Sequence, residues 1–299
     1  MAMALGGLAA GEMIRRVWSR FKIDDVLTRA AAMSFFMIFA LTPAFLFLLT
    51  LLGLLPWRED VLERLPWYLR QVLPADAASL VEKTLVQLRE GASPSLLSLG
   101  AGTALWAASS GMVSVINGLN VAYRVDEPRP WWRRRLVAIG LTGGLAIFML
   151  TALILVVFGG WIGEAIADAL GVGSQFTIAW QLLQWPVVIG CVAIGVGLVY
   201  RFAPARPLAW RWLAPGAIFA VAAWLTTSLG LRVYVTHFDR YNATYGSIGG
   251  VIILMLWLFL SNVVLLVGAE INSVIEEFSR EAGRLRAPPR ETPAPRPAG

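Results

Sequence analysis

The residues best suited to chemistry lie at the end of one long apolar stretch. From Tyr241 to Ala269 the chain has no Asp, Glu, Lys, Arg or His. This run is long enough to cross a bilayer core of about 30 Å as a helix. Asn262 lies inside it, and Glu270 and Asn272 follow it directly. Polar groups at this depth need partners in the protein, so we expect these side chains to face other helices.

Glu270 is predicted to pair with an arginine at the inner end of another span, because an unpaired carboxylate is costly there. Two roles stay open for such a pair. It is either a static salt bridge that locks the helices together or a gate that breaks as the inner mouth opens. A Glu270→Gln variant that fails to fold favours the lock, and one that folds without activity favours the gate. The candidate partners are Arg124, Arg129, Arg201 and Arg206.

A second set of polar residues follows helical spacing. The residues recur at intervals of four, three, four and three, so they share one narrow helix face. This face either packs against another helix or forms one wall of a polar cavity opposite Asn262. The residues are Thr103, Ala107, Ser110, Ser114 and Asn117.

Two apolar runs contain a proline near the middle, at Pro43 and Pro186. Proline removes a backbone donor and bends a helix. Interrupted helices at corresponding positions are typical of transporters with inverted repeats, although kinks are also tolerated for packing alone.

Other chemistry has no visible place in the sequence. There is no Ser/His/Asp set, no paired-histidine metal motif and no Walker sequence. His237 is the single histidine, and Cys191 is the single cysteine. No predicted span carries a charge near its middle. We therefore expect no cofactor, no metal and no enzymatic activity.

The elements that position these residues are predicted to be membrane-spanning helices. The chain is 58% apolar and only 15% charged, whereas a soluble domain carries roughly 25% charged residues. The sequence predicts an all-α fold, a bundle of six transmembrane helices within residues 30–272. The spans are expected near 30–57, 91–123, 136–163, 169–200, 212–231 and 241–269.

Lysine and arginine set the predicted orientation. With the N-terminus inside, 18 of the 25 basic residues fall on the inner side, as the positive-inside rule requires. Both termini should then be cytoplasmic. Because the basic residues are spread over inner loops, we expect no nucleic-acid partner.

The remaining segments lie outside the spans. Residues 1–29 should form a cytoplasmic segment whose residues 13–29 make an interfacial amphipathic helix, and Asp24 or Asp25 is a candidate N-cap for the first span. The extracytoplasmic loop 58–92 should contain a second amphipathic helix. Residues 273–299 should form a cytoplasmic tail that is disordered from about residue 287, because that part is rich in proline.

Four segments of the sequence resemble the YihY/virulence factor BrkB family of bacterial inner-membrane proteins. They are AAAMSFFMIFALTPAFLFLL at 30–49, LWAASSGMVSVINGLNVAYRV at 105–125, YRFAP at 200–204 and YGSIGGVIILMLWLFLSNVVLLVGAEIN at 245–272. The resemblance implies six spans with both ends cytoplasmic. It also implies functional or structural importance for Pro43, Asn120, Tyr123, Pro204, Tyr245, Gly246, Glu270 and Asn272.

The resemblance implies a place in the bacterial plasma membrane and a transporter or flippase of a lipid-like envelope component. The alternative is a scaffold that recruits envelope-biogenesis proteins through its cytoplasmic ends. Relatives have carried a ribonuclease label, which this sequence does not support. Membrane lipids are the expected partners, and the sequence does not specify an oligomeric state.

Overall fold

The computed structural model describes residues 10–53, 94–170, 174–206, 209–237 and 239–286. Within these ranges every regular element is an α-helix, which confirms the predicted fold class. The helices are α1 (Ala10–Ile23), α2 (Val26–Gly53), α3 (Pro94–Ala122), α4 (Trp131–Leu170), α5 (Ser174–Phe202), α6 (Trp210–His237) and α7 (Asp239–Arg286).

Helices α3 to α7 are each long and apolar enough to cross a membrane. In α2 the described apolar part, Val26–Leu41, is shorter than a full span, although the helix itself continues to Gly53. These helices identify a membrane protein, and the count of six spans stays a prediction.

Three predictions concern residues outside the described ranges. The amphipathic helix within 58–92 is one, and the proline-rich end from about residue 287 is another. The third concerns Tyr245 and Gly246, whose backbone belongs to α7 but whose burial and contacts are not described.

The predicted amphipathic helix at 13–29 is two helices that meet at Asp24 and Asp25. Asp25 has a φ of 47°, a left-handed conformation that ends α1. Its carbonyl oxygen accepts a hydrogen bond from the Arg29 amide at 3.1 Å, so Asp25 also occupies the start of α2. The charged part of the predicted helix therefore folds back as α1 instead of continuing directly into the first span.

Neither predicted kink ends its helix. Pro43 lies within α2 and Pro186 within α5. A third proline, Pro215, lies within α6. Neighbouring helices can satisfy the backbone groups that a proline frees in a membrane.

The packed core lies at one end of the bundle, which we call the base. The base comprises α1, the connections 123–130 and 203–206, α7 from Leu266 onward, and the parts of α3, α5 and α6 that pack against them. Its buried apolar residues include Ile116, Leu119, Tyr200, Leu213 and Leu266. Because α1 contacts the C-terminal turns of α7, both terminal helices lie at this same end.

The closest helix approach at the base joins α6 and α7. A Cβ atom at Gly216 would overlap the Gly268 carbonyl oxygen and the side chain of Asn272. A Cβ atom at Gly268 would likewise overlap the Tyr200 hydroxyl group. Glycine at both positions therefore permits a backbone contact that no other residue allows, as is common between helices in lipid.

We predict that Gly216→Ala lowers the stability of the purified protein by about 1–3 kcal/mol, the usual cost of overpacking. Gly230→Ala is the matched control, since it lies in the same helix with no atom within 4 Å of the added Cβ. Thermal unfolding in detergent measures the difference. Equal stability of the two variants would contradict the close approach.

Candidate functional site

Glu270 is the most deeply buried charged residue at the base. Its exposed fraction is 0%, and Arg20 from α1 is 7% exposed. Arg20 Nη1 lies 3.8 Å from Glu270 Oε2. The same guanidinium donates to Ser273 Oγ at 2.7 Å and binds the exposed carboxylate of Glu277. One arginine therefore links three successive polar positions on α7 to the N-terminal helix.

Among the described residues the ion-pair partner of Glu270 is Arg20 and not one of the four predicted arginines, of which only Arg124 adds positive charge near it. Arg129 pairs with Glu127 at 2.7 Å, Arg206 with Glu276 at 2.5 Å, and Arg124 with Asp24 at 3.9 Å. Arg201 has a buried Nε that donates no hydrogen bond within the described part of the chain. The prediction failed because it considered only arginines at span ends, whereas α1 folds back beneath the bundle.

The carboxylate of Glu270 is incompletely neutralised. Neither of its oxygens accepts a hydrogen bond from any residue that the structure describes. It also experiences the negative charge of Asp24 together with the positive charges of Arg20 and Arg124. Arg20 is the buried cation of this group, whereas Arg124 is half-exposed, so removal of Arg20 would leave a costly unpaired charge on Glu270.

Asn272 joins three helices at the base. Its Oδ1 accepts a hydrogen bond from the Gly216 amide in α6 at 2.8 Å. Its Nδ2 donates to the Tyr123 hydroxyl group at 3.3 Å, directly after α3. Tyr200 of α5 donates to the Leu265 carbonyl at 2.7 Å. These bonds satisfy buried polar groups and connect α3, α5 and α6 to α7.

Asn120 fastens the two connections at the base to each other. Its Nδ2 donates to Glu127 Oε2 at 2.8 Å, and its Oδ1 accepts from the Ala205 amide at 2.8 Å. Arg129 holds Glu127 and also donates to the Ala203 carbonyl at 2.8 Å. The buried Pro204 lies between these two contacts. The family motifs at Asn120 and Pro204 thus meet in space.

Asn262 contacts the first predicted span and not the polar face of α3. Its Nδ2 donates to Ser34 Oγ at 3.0 Å and lies 3.4 Å from the sulfur of Met37. The alternative of a polar cavity between Asn262 and the α3 face has no support here, because Asn262 bonds to α2 and the polar side chains of α3 bond to Arg134 and Arg135.

The polar face of α3 meets arginines at the start of α4. Asn117 Oδ1 accepts from Arg134 at 3.4 Å, and Ser110 Oγ accepts from Arg135 at 3.2 Å. Ser110 and Asn117 are exposed, and Ser114 is half-buried. Sequence reasoning missed this pairing because it began the span at residue 136, just after the WWRRR segment.

The arrangement at the base suits a closure held by charges and hydrogen bonds. In the described ranges no three His, Cys, Asp or Glu side chains lie together as metal ligands. The base brings together Arg20, Asn120, Tyr123, Glu270 and Asn272, whereas Pro43 and Pro186 lie away from it in the helix interiors.

An all-helical fold, apolar helices of spanning length and a buried polar base define an integral membrane protein. Residues 17–294 match the family model described as virulence factor BrkB. The chain therefore belongs to this family.

Curated relatives come from several bacteria. The chain is 37% identical to the ribonuclease-like protein YfkH of Bacillus subtilis over 88% of this chain and 95% of that protein. It is 28% identical to a UPF0761 membrane protein of Stenotrophomonas maltophilia over 92% of this chain and 63% of the relative. A UPF0761 membrane protein of Xanthomonas axonopodis, XAC0937, is 26% identical over 92% and 64%. The chain thus spans less than two thirds of these UPF0761 relatives. No solved structure matches it.

We predict that Arg20→Gln destabilises the protein by about 3 kcal/mol, because it leaves the buried Glu270 carboxylate without its cation. Adding Glu270→Gln to that variant should restore much of the loss, and Glu270→Gln alone should be tolerated because its oxygens accept no hydrogen bond. Chemical unfolding of the four proteins in detergent gives the coupling energy.

Glu277→Gln serves as the control for this cycle, since it removes a half-exposed partner of the same arginine. It should cost less than about 1 kcal/mol. A coupling energy near zero between Arg20 and Glu270 would show that the buried pair does not stabilise the base.

A second prediction concerns pH and the connection 123–130. Hydrogen bonds from the Arg129 side chain lower the pKa of Glu127 from 4.5, burial opposes this, and a bond from Asn120 adds to the lowering. A carboxylate whose pKa is lower in the folded than in the unfolded protein stabilises the fold at pH values above the unfolded-state pKa. That stabilisation is lost as the pH falls through the folded-state pKa.

Amide exchange in residues 123–130 should therefore accelerate as pH falls below about 4.5, after correction for intrinsic exchange rates. Arg129→Gln should weaken this dependence by removing the main cause of the pKa shift. An unchanged pH dependence in Arg129→Gln would assign the effect to another group.

Proposed function

We propose that this protein moves a lipid-like envelope component across the bacterial plasma membrane, with both termini in the cytoplasm. The observation that carries this proposal is the uneven packing of the bundle along its axis. The base is tightly packed and closed by polar contacts, whereas the residues that the structure describes in the opposite half include few buried side chains.

Buried side chains are concentrated toward the base in five helices. In α3 they begin at Ala108, in α5 at Gly195, and in α6 they end at Val221. Beyond these points, toward the opposite half, the following ranges contain no buried residue: 99–107, 147–155, 182–194, 222–235 and 250–257. Helices that are packed at one end and loosely packed at the other favour access for a ligand from the second end.

The half of the bundle opposite the base suits an amphipathic substrate. Its side chains are largely apolar, as Ile147, Leu182 and Leu229 illustrate. Two indole N–H groups there find hydroxyl partners between α6 and α7: Trp224 donates to Ser261 at 3.1 Å, and Trp257 donates to Ser228 at 3.1 Å. An apolar surface with few uncharged polar groups can accept acyl chains without desolvating a charge.

A groove between α4 and α5 provides apolar surface in the half of the bundle that contains the base, outside the loosely packed half. It measures about 370 Å³ and is bordered by small residues on α4, Gly140 and Gly144, and by Leu198 and Phe202 on α5. This volume is comparable to that of ordinary ligand pockets, which begin at about 300 Å³.

The base is proposed to form the cytoplasmic closure. Of the 25 basic residues, 18 fall in segments assigned to this side, as the positive-inside rule requires. Passage through the membrane would then need α1 and α7 to separate, which breaks the contacts of Arg20 with Glu270 and Ser273. This gives Glu270 the role of a gate.

The name of YfkH describes that protein as ribonuclease-like, and we do not extend that activity to this chain. The apolar groove between α4 and α5 and the uneven packing of the bundle along its axis favour lipid movement. A scaffold that recruits envelope-biogenesis proteins through the base would need no loosely packed half.

Lipid movement can be tested with the full chain in liposomes that contain fluorescent phosphatidylglycerol. Dithionite bleaches only label in the outer leaflet, so protein-dependent movement appears as additional bleaching. To test the closure, Arg16→Cys and Glu281→Cys are combined with Cys191→Ser. Arg16 and Glu281 join α1 to α7 with a 3.6 Å ion pair, so a cleavable bifunctional maleimide should stop movement and its cleavage should restore it.

The matched control places the two cysteines at Glu12 and Arg16, one turn apart within α1. Cross-linking there modifies the same helix without joining it to α7, and it should leave the rate unchanged. Vesicles with folded protein that bleach no further than empty vesicles would refute lipid movement and favour the scaffold. Movement that persists after the α1–α7 cross-link would refute the base as gate.

A further inference from the structure

Arg135 occupies an unusual position for a charged residue in a membrane protein. It is the fifth residue of α4, within the candidate span Trp131–Leu155. Its Nη2 donates to the Trp106 carbonyl at 2.5 Å, and both terminal nitrogens lie 3.2 Å from Ser110 Oγ. Ser110 is at the middle of the candidate span Leu99–Ala122. The guanidinium therefore extends toward the bilayer interior, whereas an arginine near a span end normally extends toward water.

The cation of Arg135 has no anionic partner among the described residues. None of the ion pairs in this part of the chain includes it, and its buried Nε donates no hydrogen bond there. The guanidinium carbon lies 4.5 Å from the centre of the Trp106 ring. A cation–π contact and neutral acceptors hold the group in place, but they do not neutralise its charge. An ionisable group at this depth is costly and is a functional-site candidate by default.

An apolar groove adjoins the arginine on the exposed surface of α3. It has a volume of about 430 Å³ and is lined by Leu99, Gly102, Thr103 and Trp106. These residues are spaced by three, one and three along the helix, so they share one face. Trp106 is 51% exposed and Leu99 is 68% exposed, so the groove opens outward from the bundle. We call the groove together with Arg135 and Ser110 the Arg135 groove.

We propose that the Arg135 groove binds an anionic phospholipid, with the phosphate on Arg135 and an acyl chain against Leu99, Gly102 and Trp106. Charge and shape both support this occupant. The guanidinium fork matches the bidentate geometry of a phosphate. The lining residues are apolar or small, which suits a hydrocarbon chain.

This site is separate from the polar base. The proposal that it binds lipid does not depend on whether the protein moves lipid. The contacts that define it belong to α3 and α4 alone. A bound phosphate would supply the anion that the described residues do not provide. It would also draw one headgroup toward the middle of the neighbouring span, where a lipid crossing the membrane must pass.

Native mass spectrometry of the full chain in detergent tests the site. The protein is titrated with phosphatidylglycerol and with phosphatidylcholine that carries the same acyl chains. Arg135→Gln should weaken phosphatidylglycerol binding roughly tenfold, the loss expected for charge-assisted hydrogen bonds. Arg133→Gln is the matched control, because it removes an equal charge two residues away, over the Trp132 ring. It should change the affinity by less than about twofold.

A second pair of variants tests the acyl-chain part without altering charge. Gly102→Leu fills the groove, and Gly100→Leu places the same side chain on α3 outside the lining residues. Neither added Cβ meets any atom within 4 Å, so both proteins should fold. Gly102→Leu should weaken binding of phosphatidylglycerol, and Gly100→Leu should not.

Three results would overturn the proposal. Equal losses in Arg135→Gln and Arg133→Gln would indicate nonspecific attraction to positive charge. Unchanged binding in Gly102→Leu would exclude the groove as the acyl-chain site. Displacement of the lipid by millimolar inorganic phosphate would indicate a site for a free anion. Tighter binding of phosphatidylglycerol than of phosphatidylcholine, lost only in Arg135→Gln and Gly102→Leu, would support it.

Discussion

A buried carboxylate at the C-terminal helix is the constraint on which the base of this bundle depends. Glu270 is fully enclosed, so the fold must bring a cation to it or keep its charge small. The protein brings Arg20 on a helix that precedes the first apolar segment. Because Arg20 also binds Ser273 and Glu277, the N-terminal helix is fixed along two turns of α7. The first and last described helices are thereby fixed at the same end of the bundle.

Around the Arg20–Glu270 pair, hydrogen bonds connect the helices. Asn272 joins α6 and the end of α3, and Asn120 joins the two connections at the base. In a membrane the apolar surfaces of helices gain little from contact with each other, because lipid is equally apolar. Close glycine contacts and satisfied polar groups must therefore supply the specificity. Their concentration at the base accompanies the sparse burial of the described residues in the opposite half.

The Arg135 groove shows a different use of charge. At the base, acidic and basic groups face each other within the protein. Arg135 instead faces the lipid side of α3 with only neutral acceptors and an aromatic ring among the described residues. At the base the opposite charges lie within the protein, whereas Arg135 has no anion among the described residues. This contrast separates residues that hold the fold together from a residue available to a lipid.

The sequence by itself determined the helical class and the presence of apolar helices of spanning length, and it marked Glu270 and Asn272 as polar groups in need of partners. These follow from hydrophobic length and from the cost of polar groups in an apolar run, both of which are local properties. The partners of those residues were decided by tertiary structure. Arg20 was overlooked for Glu270 because its helix folds back at Asp25, and Asn262 bonds to Ser34 of α2 instead of the polar face of α3. Arg135 appeared to lie before a span, yet its side chain extends along the neighbouring helix. Contacts between residues far apart in the chain decide which helices are neighbours and where a long side chain points. Hydropathy and residue spacing are local properties and do not predict such contacts.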